Sequence, residues 1–220
     1  MGRFVFSLLA VLLLLCVAGF AVDRLVGGQP ESKVLSGAEK SACGITAEVT
    51  EGPYYVSGTA ALVDGNLNTT NLAGDPIRIS GHVYEGMDNA RPIAKATIEL
   101  WHADASGNYH PNNNGAITSY KPEDIALRGF IKTDEAGAYS FTTIYPGEYS
   151  GRTRHIHVKI KADGMPDLTT QLILAKTGDQ ISFDDDTVSQ GLPNCHLLKF
   201  DTAAKPQSAS FDFRLATREE

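Results

Sequence analysis

His155-Ile-His-Val-Lys-Ile160 alternates strictly between polar and branched aliphatic side chains. A β-strand sends successive side chains to opposite faces. Ile156, Val158 and Ile160 therefore share one face and can pack a core, while His155 and His157 point together from the other. The same period recurs in both directions along the chain. Upstream, Ile98 and Leu100 oppose Thr97, Glu99 and Trp101; downstream, Leu168-Thr-Thr-Gln-Leu-Ile-Leu174 and Phe211-Asp-Phe-Arg-Leu215 alternate. Phe130-Ile-Lys-Thr133 and Tyr139-Ser-Phe-Thr-Thr-Ile144 flank Asp134-Glu-Ala-Gly137, a turn sequence that predicts a hairpin. Long helical periodicity is absent, and helix is expected only as a turn or two near Lys121-Pro-Glu-Asp124 and Asp184-Asp-Asp-Thr-Val188. Short strands punctuated by Gly, Asp and Pro predict an all-β fold, an antiparallel β-sandwich with short irregular helical turns.

Asp104-Ala-Ser-Gly-Asn-Tyr109 and Asp134-Glu-Ala-Gly-Ala-Tyr139 share the pattern Asp-x-x-Gly-x-Tyr. Both read as a turn feeding a strand, so the pattern alone does not say which tyrosine is functional.

The chain opens with Arg3 and an apolar run from Phe4 to Val22 that contains Ala18-Gly-Phe-Ala21. A basic start, a Leu-rich stretch and small residues before a cleavage point describe a secretory signal peptide over residues 1–21. An uncleaved membrane anchor is the alternative, since the run nears the ~20 residues that span a bilayer. The small residues, and the lack of a basic cluster after them, favour cleavage and secretion. Residues 22–42, rich in Gly, Ser, Pro and charge, read as a flexible segment, and residues 43–220 as one domain. Removing Arg3 leaves 18 basic residues against 26 acidic, a net charge of −8. That surface argues against nucleic acid or an anionic membrane as a partner. Cys16 leaves with the signal; Cys43 and Cys195 remain, and two cysteines in an oxidising compartment are expected to pair, with buried free thiols the alternative. Asn68-Thr-Thr70 is a candidate glycosylation sequon in the same setting.

Around the opening stretch stand Tyr109, Tyr145-Pro-Gly-Glu-Tyr149 and Arg152-Thr-Arg-His155. Imidazole suits iron, copper and zinc, whereas phenolate oxygen is a hard anionic donor that favours a trivalent ion. A phenol has a pKa near ~10, so a highly charged metal must displace its proton. Tyr109 and Tyr149 beside His155 and His157 therefore point to ferric iron. Each residue has a plainer reading: a hydrogen-bonded histidine pair, packing tyrosines, a solvated loop arginine at Arg152. A copper site using His-x-His would want further histidines, and His82, His102, His110 and His196 show no matching pattern. A sandwich that binds a ligand without catalysis is the other alternative.

Six segments carry a family resemblance: Thr50-Glu-Gly-Pro-Tyr-Tyr55, Ile98-Glu-Leu-Trp-His-Ala-Asp-Ala-Ser-Gly-Asn-Tyr109, Thr133-Asp-Glu-Ala-Gly-Ala-Tyr-Ser-Phe141, Thr143-Ile-Tyr-Pro-Gly-Glu-Tyr149, His155-Ile-His157 and Leu168-Thr-Thr-Gln171. In this order they resemble intradiol ring-cleavage dioxygenases such as catechol 1,2-dioxygenase and protocatechuate 3,4-dioxygenase, and most closely the short secreted subgroup. The resemblance implies one Fe(III) held by Tyr109, Tyr149, His155 and His157, with no organic cofactor. It implies that a catechol and O2 react to give a cis,cis-muconate-type diacid by cleavage between the hydroxyl-bearing carbons. Arg152 and Gln171 match residues that line the substrate site, with Arg152 opposite charge building on the ring, and Tyr149 matches the tyrosine that leaves the iron and takes up a catechol proton. Tyr54 and Tyr55 fall near the mouth of the pocket. Only five residues separate Tyr149 from His155, where the bacterial enzymes carry a longer insertion. Nothing resembles their N-terminal dimerisation segment, so a monomer with a more open site is expected.

Overall fold

The alternating runs become strands in the computed structural model, which describes residues 44–87, 91–149, 151–175 and 186–217. The expected signal segment 1–21, the expected lead-in 22–42 and Cys43 lie outside the described residues. Twelve strands are found among those described: β1 (Val56–Ser57), β2 (Pro76–Glu85), β3 (Arg91–Pro92), β4 (Thr97–Trp101), β5 (Gly115–Ala116), β6 (Arg128–Lys132), β7 (Ala138–Ile144), β8 (His155–Lys161), β9 (Leu168–Leu174), β10 (Leu197–Leu198), β11 (Gln207–Ser210) and β12 (Phe213–Leu215). Among the described residues, helix is limited to 3-10 turns at Ile117–Ser119, Pro122–Asp124 and Asn194–His196 and to α1 (Thr187–Gln190). The first expected turn is present at Pro122–Asp124; the second corresponds to α1, with Asp184 and Asp185 outside the described residues.

One sheet runs β10-β9-β8-β4-β6. A second is built on β2, whose first part is flanked by β7 and β11 and whose second part by β3 and β12; β1 and β5 form a small parallel pair apart from these two. The long pairings are antiparallel, as expected, while β10, β11 and β12 add in parallel. One core joins the two sheets. Ile77, Ile79, Phe141 and Phe213 meet Ile98, Leu100, Ile156, Val158, Ile160 and Leu172 in a single cluster. Burying each such side chain stabilises the fold by roughly 1.5–3 kcal/mol.

The hairpin expected at Asp134–Gly137 does not form. The turn is there, with Asp134 Oδ1 accepting from Ala136 N and Ala138 N. Its flanking strands part, however: β6 pairs with β4 and β7 with β2, so the turn carries the chain from one sheet to the other.

An antiparallel sheet often leaves one face to water. Here all seven residues of β9 are buried; beside it, Gly52 closes on His157, and Tyr54, Tyr55, Tyr109 and Tyr149 cluster with Trp101 on the outer side of β4 and β8.

Candidate metal centre

β8 supplies the two histidines from neighbouring positions on its outer face. Their Nε2 atoms stand 3.1 Å apart. His155 donates Nδ1–H to the Thr153 carbonyl at 2.6 Å, which leaves its Nε2 as a bare lone pair aimed inward. Trp101, opposite His157 in the β4–β8 register, stacks on that imidazole at 4.8 Å and 6°. A Cβ on Gly52, at φ +73°, would come within 3.3 Å of His157 Cε1; the backbone of the covering segment closes that side. Burial, then the Arg152 charge, lowers the His155 pKa to about 4, and burial followed by the His155 charge holds His157 well below the ordinary imidazole value. Both rings are neutral at physiological pH, the form that binds metal.

Tyr109 arrives from the turn that begins at Asp104, whose Oδ1 accepts from Ser106 N and Asn108 N. Its hydroxyl lies 3.4 Å from His155 Nε2. Tyr149 follows the Pro-Gly turn and closes back through Arg152 N, which donates to the Tyr149 carbonyl at 2.7 Å. The two tyrosine rings meet edge-on, 5.2 Å apart at 90°, and share a hydroxyl hydrogen bond. Their loops interlock, since a Cβ on Gly107 would sit 2.2 Å from the Glu148 carbonyl oxygen. Burial, then the neighbouring Tyr149, raises the Tyr109 pKa well above that of a free phenol; burial raises Tyr149 as well, against the pull of Arg152.

These four side chains are the ones expected, and they converge. Among the described residues no group of three or more His, Cys, Asp or Glu could hold a metal, so a metal here requires the tyrosines. Buried phenols lose their protons only to a strongly charged cation. Two neutral imidazoles plus two phenols therefore fit a hard, highly charged ion.

Arg152 and Gln171 lie beside the histidines. Arg152 Nη2 donates to Gln171 Oε1 at 2.8 Å, and Gln171 Nε2 is 3.4 Å from His157 Nδ1. Arg152 Nε donates to Asp186 Oδ1 at 2.9 Å. The sequence reading took Asp186 only as part of a helical turn. It also missed Arg128, which is buried, donates to the carbonyls of Tyr54, His110 and Pro111, and stands 5.7 Å from the Tyr109 ring centre. Burial lowers its pKa to about 10.

Tyr54 and Tyr55 part company. Tyr54 stacks on Tyr109 at 4.4 Å, whereas Tyr55 donates its hydroxyl to Glu99 Oε2 at 2.6 Å and packs on Trp101. The other histidines are engaged elsewhere. His102 bonds the Ala103 carbonyl and Thr143 Oγ1, His110 bonds Asp104, His196 bonds the Gln171 carbonyl and His82 faces Asp212. Asn68 spends both ends of its amide on the Leu72 backbone, at 2.9 Å each.

A family model described as dioxygenase matches residues 50–217. Catechol 1,2-dioxygenase 1 of Acinetobacter lwoffii is 34% identical over 165 residues, covering 64% of this chain and 50% of that protein. The chain thus spans about half the length of this curated relative. Among solved structures, the dioxygenase domain of a dioxygenase–carbohydrate-binding fusion from Streptomyces sp. SirexAA-E superposes with a TM-score of 0.63 at 30% identity, covering 79% of this chain and 99% of that one. An intradiol ring-cleavage dioxygenase from Tetranychus urticae gives a TM-score of 0.67 at 21% identity over 80% of this chain and 96% of that one, a likeness of fold. With the site's geometry and the family model in agreement, the chain belongs to the intradiol ring-cleavage dioxygenases.

Proposed function

We propose that this protein is a secreted, monomeric dioxygenase that binds one Fe(III) through Tyr109, Tyr149, His155 and His157. Its substrates are catechols, cleaved between the two hydroxyl-bearing carbons. Both atoms of O2 enter the product, a cis,cis-muconate-type diacid, and no external reductant is consumed. The observation that carries the reading is the convergence of two phenols on two facing imidazoles, with the histidine Nε2 atoms 3.1 Å apart and the Tyr109 hydroxyl 3.4 Å from one of them.

Bound iron(III) would supply Lewis acidity and a template for a two-oxygen ligand. The chain's own groups supply the rest. Tyr149 is the more exposed of the two tyrosines, and its Oη is placed to receive a catechol proton. Tyr109 is only 4% exposed and is gripped by Tyr54 and Arg128, which hold its ring in place. Trp101 and the Gly52 backbone keep water from the His157 side. Arg152 sets a fixed positive charge beside the ring, where preorganised charge lowers the barrier without reorganisation. Gln171 holds that guanidinium in its plane.

Secretion is inferred from the leader, with Val22 as the first residue of the mature chain. The Cys43–Cys195 bridge is supported by Cys195 being a disulfide cysteine. Chain-entropy models credit so long a loop with roughly 5 kcal/mol.

The test is anaerobic titration of the iron-loaded protein with a panel of catechols, followed by oxygen. The expected result is one equivalent of O2 consumed and a colourless diacid identified by NMR. A yellow ring-opened semialdehyde would signal cleavage outside the hydroxyl pair and overturn the reading.

A further inference from the structure

The Asp186 carboxylate is 2% exposed, and its hydrogen bonds serve two separate purposes. Ser189 N and Ser189 Oγ donate to Oδ1 and Oδ2 at 3.1 and 2.6 Å, capping α1. Arg152 Nε and Thr153 N donate to the same two oxygens at 2.9 and 2.8 Å. Asn or Ser would cap a one-turn helix about as well as Asp, so capping does not explain a buried charge. Ion pairs taken out of water are also a poor source of net stability. The negative charge has its use opposite Arg152.

That arginine is held from two sides. Asp186 takes Nε and Gln171 takes Nη2, and among the described residues Nη1 has no protein partner. Its charge acts on all four expected ligands. The next residue, Thr153, is tied through its N–H to Asp186 and through its carbonyl to His155 Nδ1. One carboxylate thus fixes the turn that presents the arginine and orients the first ligand histidine.

We propose that Asp186 is a positioning residue for ring cleavage, acting through Arg152: it locks the guanidinium beside the metal centre and leaves Nη1 for the negative charge that develops on the ring. The inference rests on the dioxygenase reading of the site.

The experiment uses the full-length, iron-loaded chain with catechol as the probe. Asp186→Asn keeps the Oδ1 acceptor for the cap and for Arg152 Nε, and removes the charge together with the Oδ2 acceptor of Thr153 N. Its kcat should fall at least about tenfold, toward the ~100-fold that an ångström of misplacement costs, while iron content is unchanged and KM stays within about threefold. On an Arg152→Gln background the same substitution should add less than about twofold, since coupled residues do not add. Ser189→Ala removes only the cap hydroxyl and should lower the Tm without changing kcat. Wild-type kcat in D186N, full multiplication of its loss on R152Q, or the same kcat loss in S189A would each overturn the proposal. Should D186N not fold, Asp186→Glu carries the test: a folded D186E with wild-type kcat refutes the role, and a reduced kcat at unchanged KM supports it. A wild-type chain that holds iron yet leaves catechol untouched would sink the dioxygenase reading and this inference with it. Wild-type turnover beside an equally fast D186N sinks this inference alone.

Discussion

Asp104–Tyr109 and Asp134–Tyr139 are one turn used twice. In each, the aspartate Oδ1 accepts from the backbone N–H groups two and four residues on, and its carbonyl accepts from the glycine N–H. In each the glycine sits at positive φ, 87° and 75°. The tyrosines that follow are both buried, at 4% and 5% exposure. They differ in what receives the hydroxyl. Tyr139 donates to the Phe211 carbonyl at 2.7 Å, and its neighbouring charge is Asp212, which reinforces burial in keeping it a phenol. Tyr109 faces an imidazole lone pair and the Tyr149 hydroxyl, with the cationic Arg128 beside its ring. The turn delivers a tyrosine; the groups at the far end of the ring decide whether it serves packing or chemistry.

The largest contrast should come from Tyr109→Phe and Tyr139→Phe. Losing the Tyr109 oxygen should lower iron binding and turnover by more than the ~100-fold that loss of an outer partner can cost, measured by iron content and kcat. Tyr139→Phe should keep turnover within about twofold, and equal losses in both variants would break the comparison. Next come the glycines. In Gly107→Ala the new Cβ would meet the Glu148 oxygen at 2.2 Å, displacing the loop that carries Tyr149, so kcat and iron content should fall by about tenfold. In Gly137→Ala the contacts are with Pro92, Ile93 and Val83 at 2.9–3.0 Å; a lower Tm with normal kcat is expected.

Acid should separate the two turns. His102 stands just before the first turn, and burial holds its pKa at about 4, below the usual 6.5. The unfolded chain therefore takes up the proton first. Stability is lost as pH falls from about 6.5 to 4, by on the order of 3 kcal/mol, and returns as pH rises. Hydrogen exchange of the metal-free protein at pH 4.5 should show Ser106 and Asn108 amides exposed ahead of those of Ala136 and Ala138, and His102→Asn should reduce the dependence, the buried His155 and His157 carrying the remainder. The smallest effect is on the fold in Tyr139→Phe: about 1–3 kcal/mol in urea unfolding, because the buried Phe211 carbonyl loses its donor.

Alternation made β8 and its two faces legible in the sequence, since period-2 patterning is what a half-covered sheet demands. Donor chemistry marked Tyr109 as a candidate beside the histidines, but only the family resemblance separated it from Tyr139, because its turn has a twin. The hairpin failed for a related reason: Asp134–Gly137 encodes a change of direction, and pairing was decided by the aliphatic faces of β6 and β7, which belong to different sheets. Asp186 and Arg128 left no local signal. Asp186 meets Arg152 across 34 residues and Arg128 meets Tyr54 across 74, contacts that no window of sequence displays. Tyr54 and Tyr55 look alike in sequence, yet as neighbours they project differently, one onto the Tyr109 ring and the other onto Glu99.

The partnership of β11 and β12 with β2 bears on how the molecule comes to be. Residues 207–215 lie along residues 77–85, so a ribosome must make well over a hundred residues between the two halves of that seam. Closing so wide a loop is slow. Throughout translation β2 carries an unclaimed hydrogen-bonding edge, the kind that recruits stray chains, and the nascent protein needs shelter until its final strands emerge.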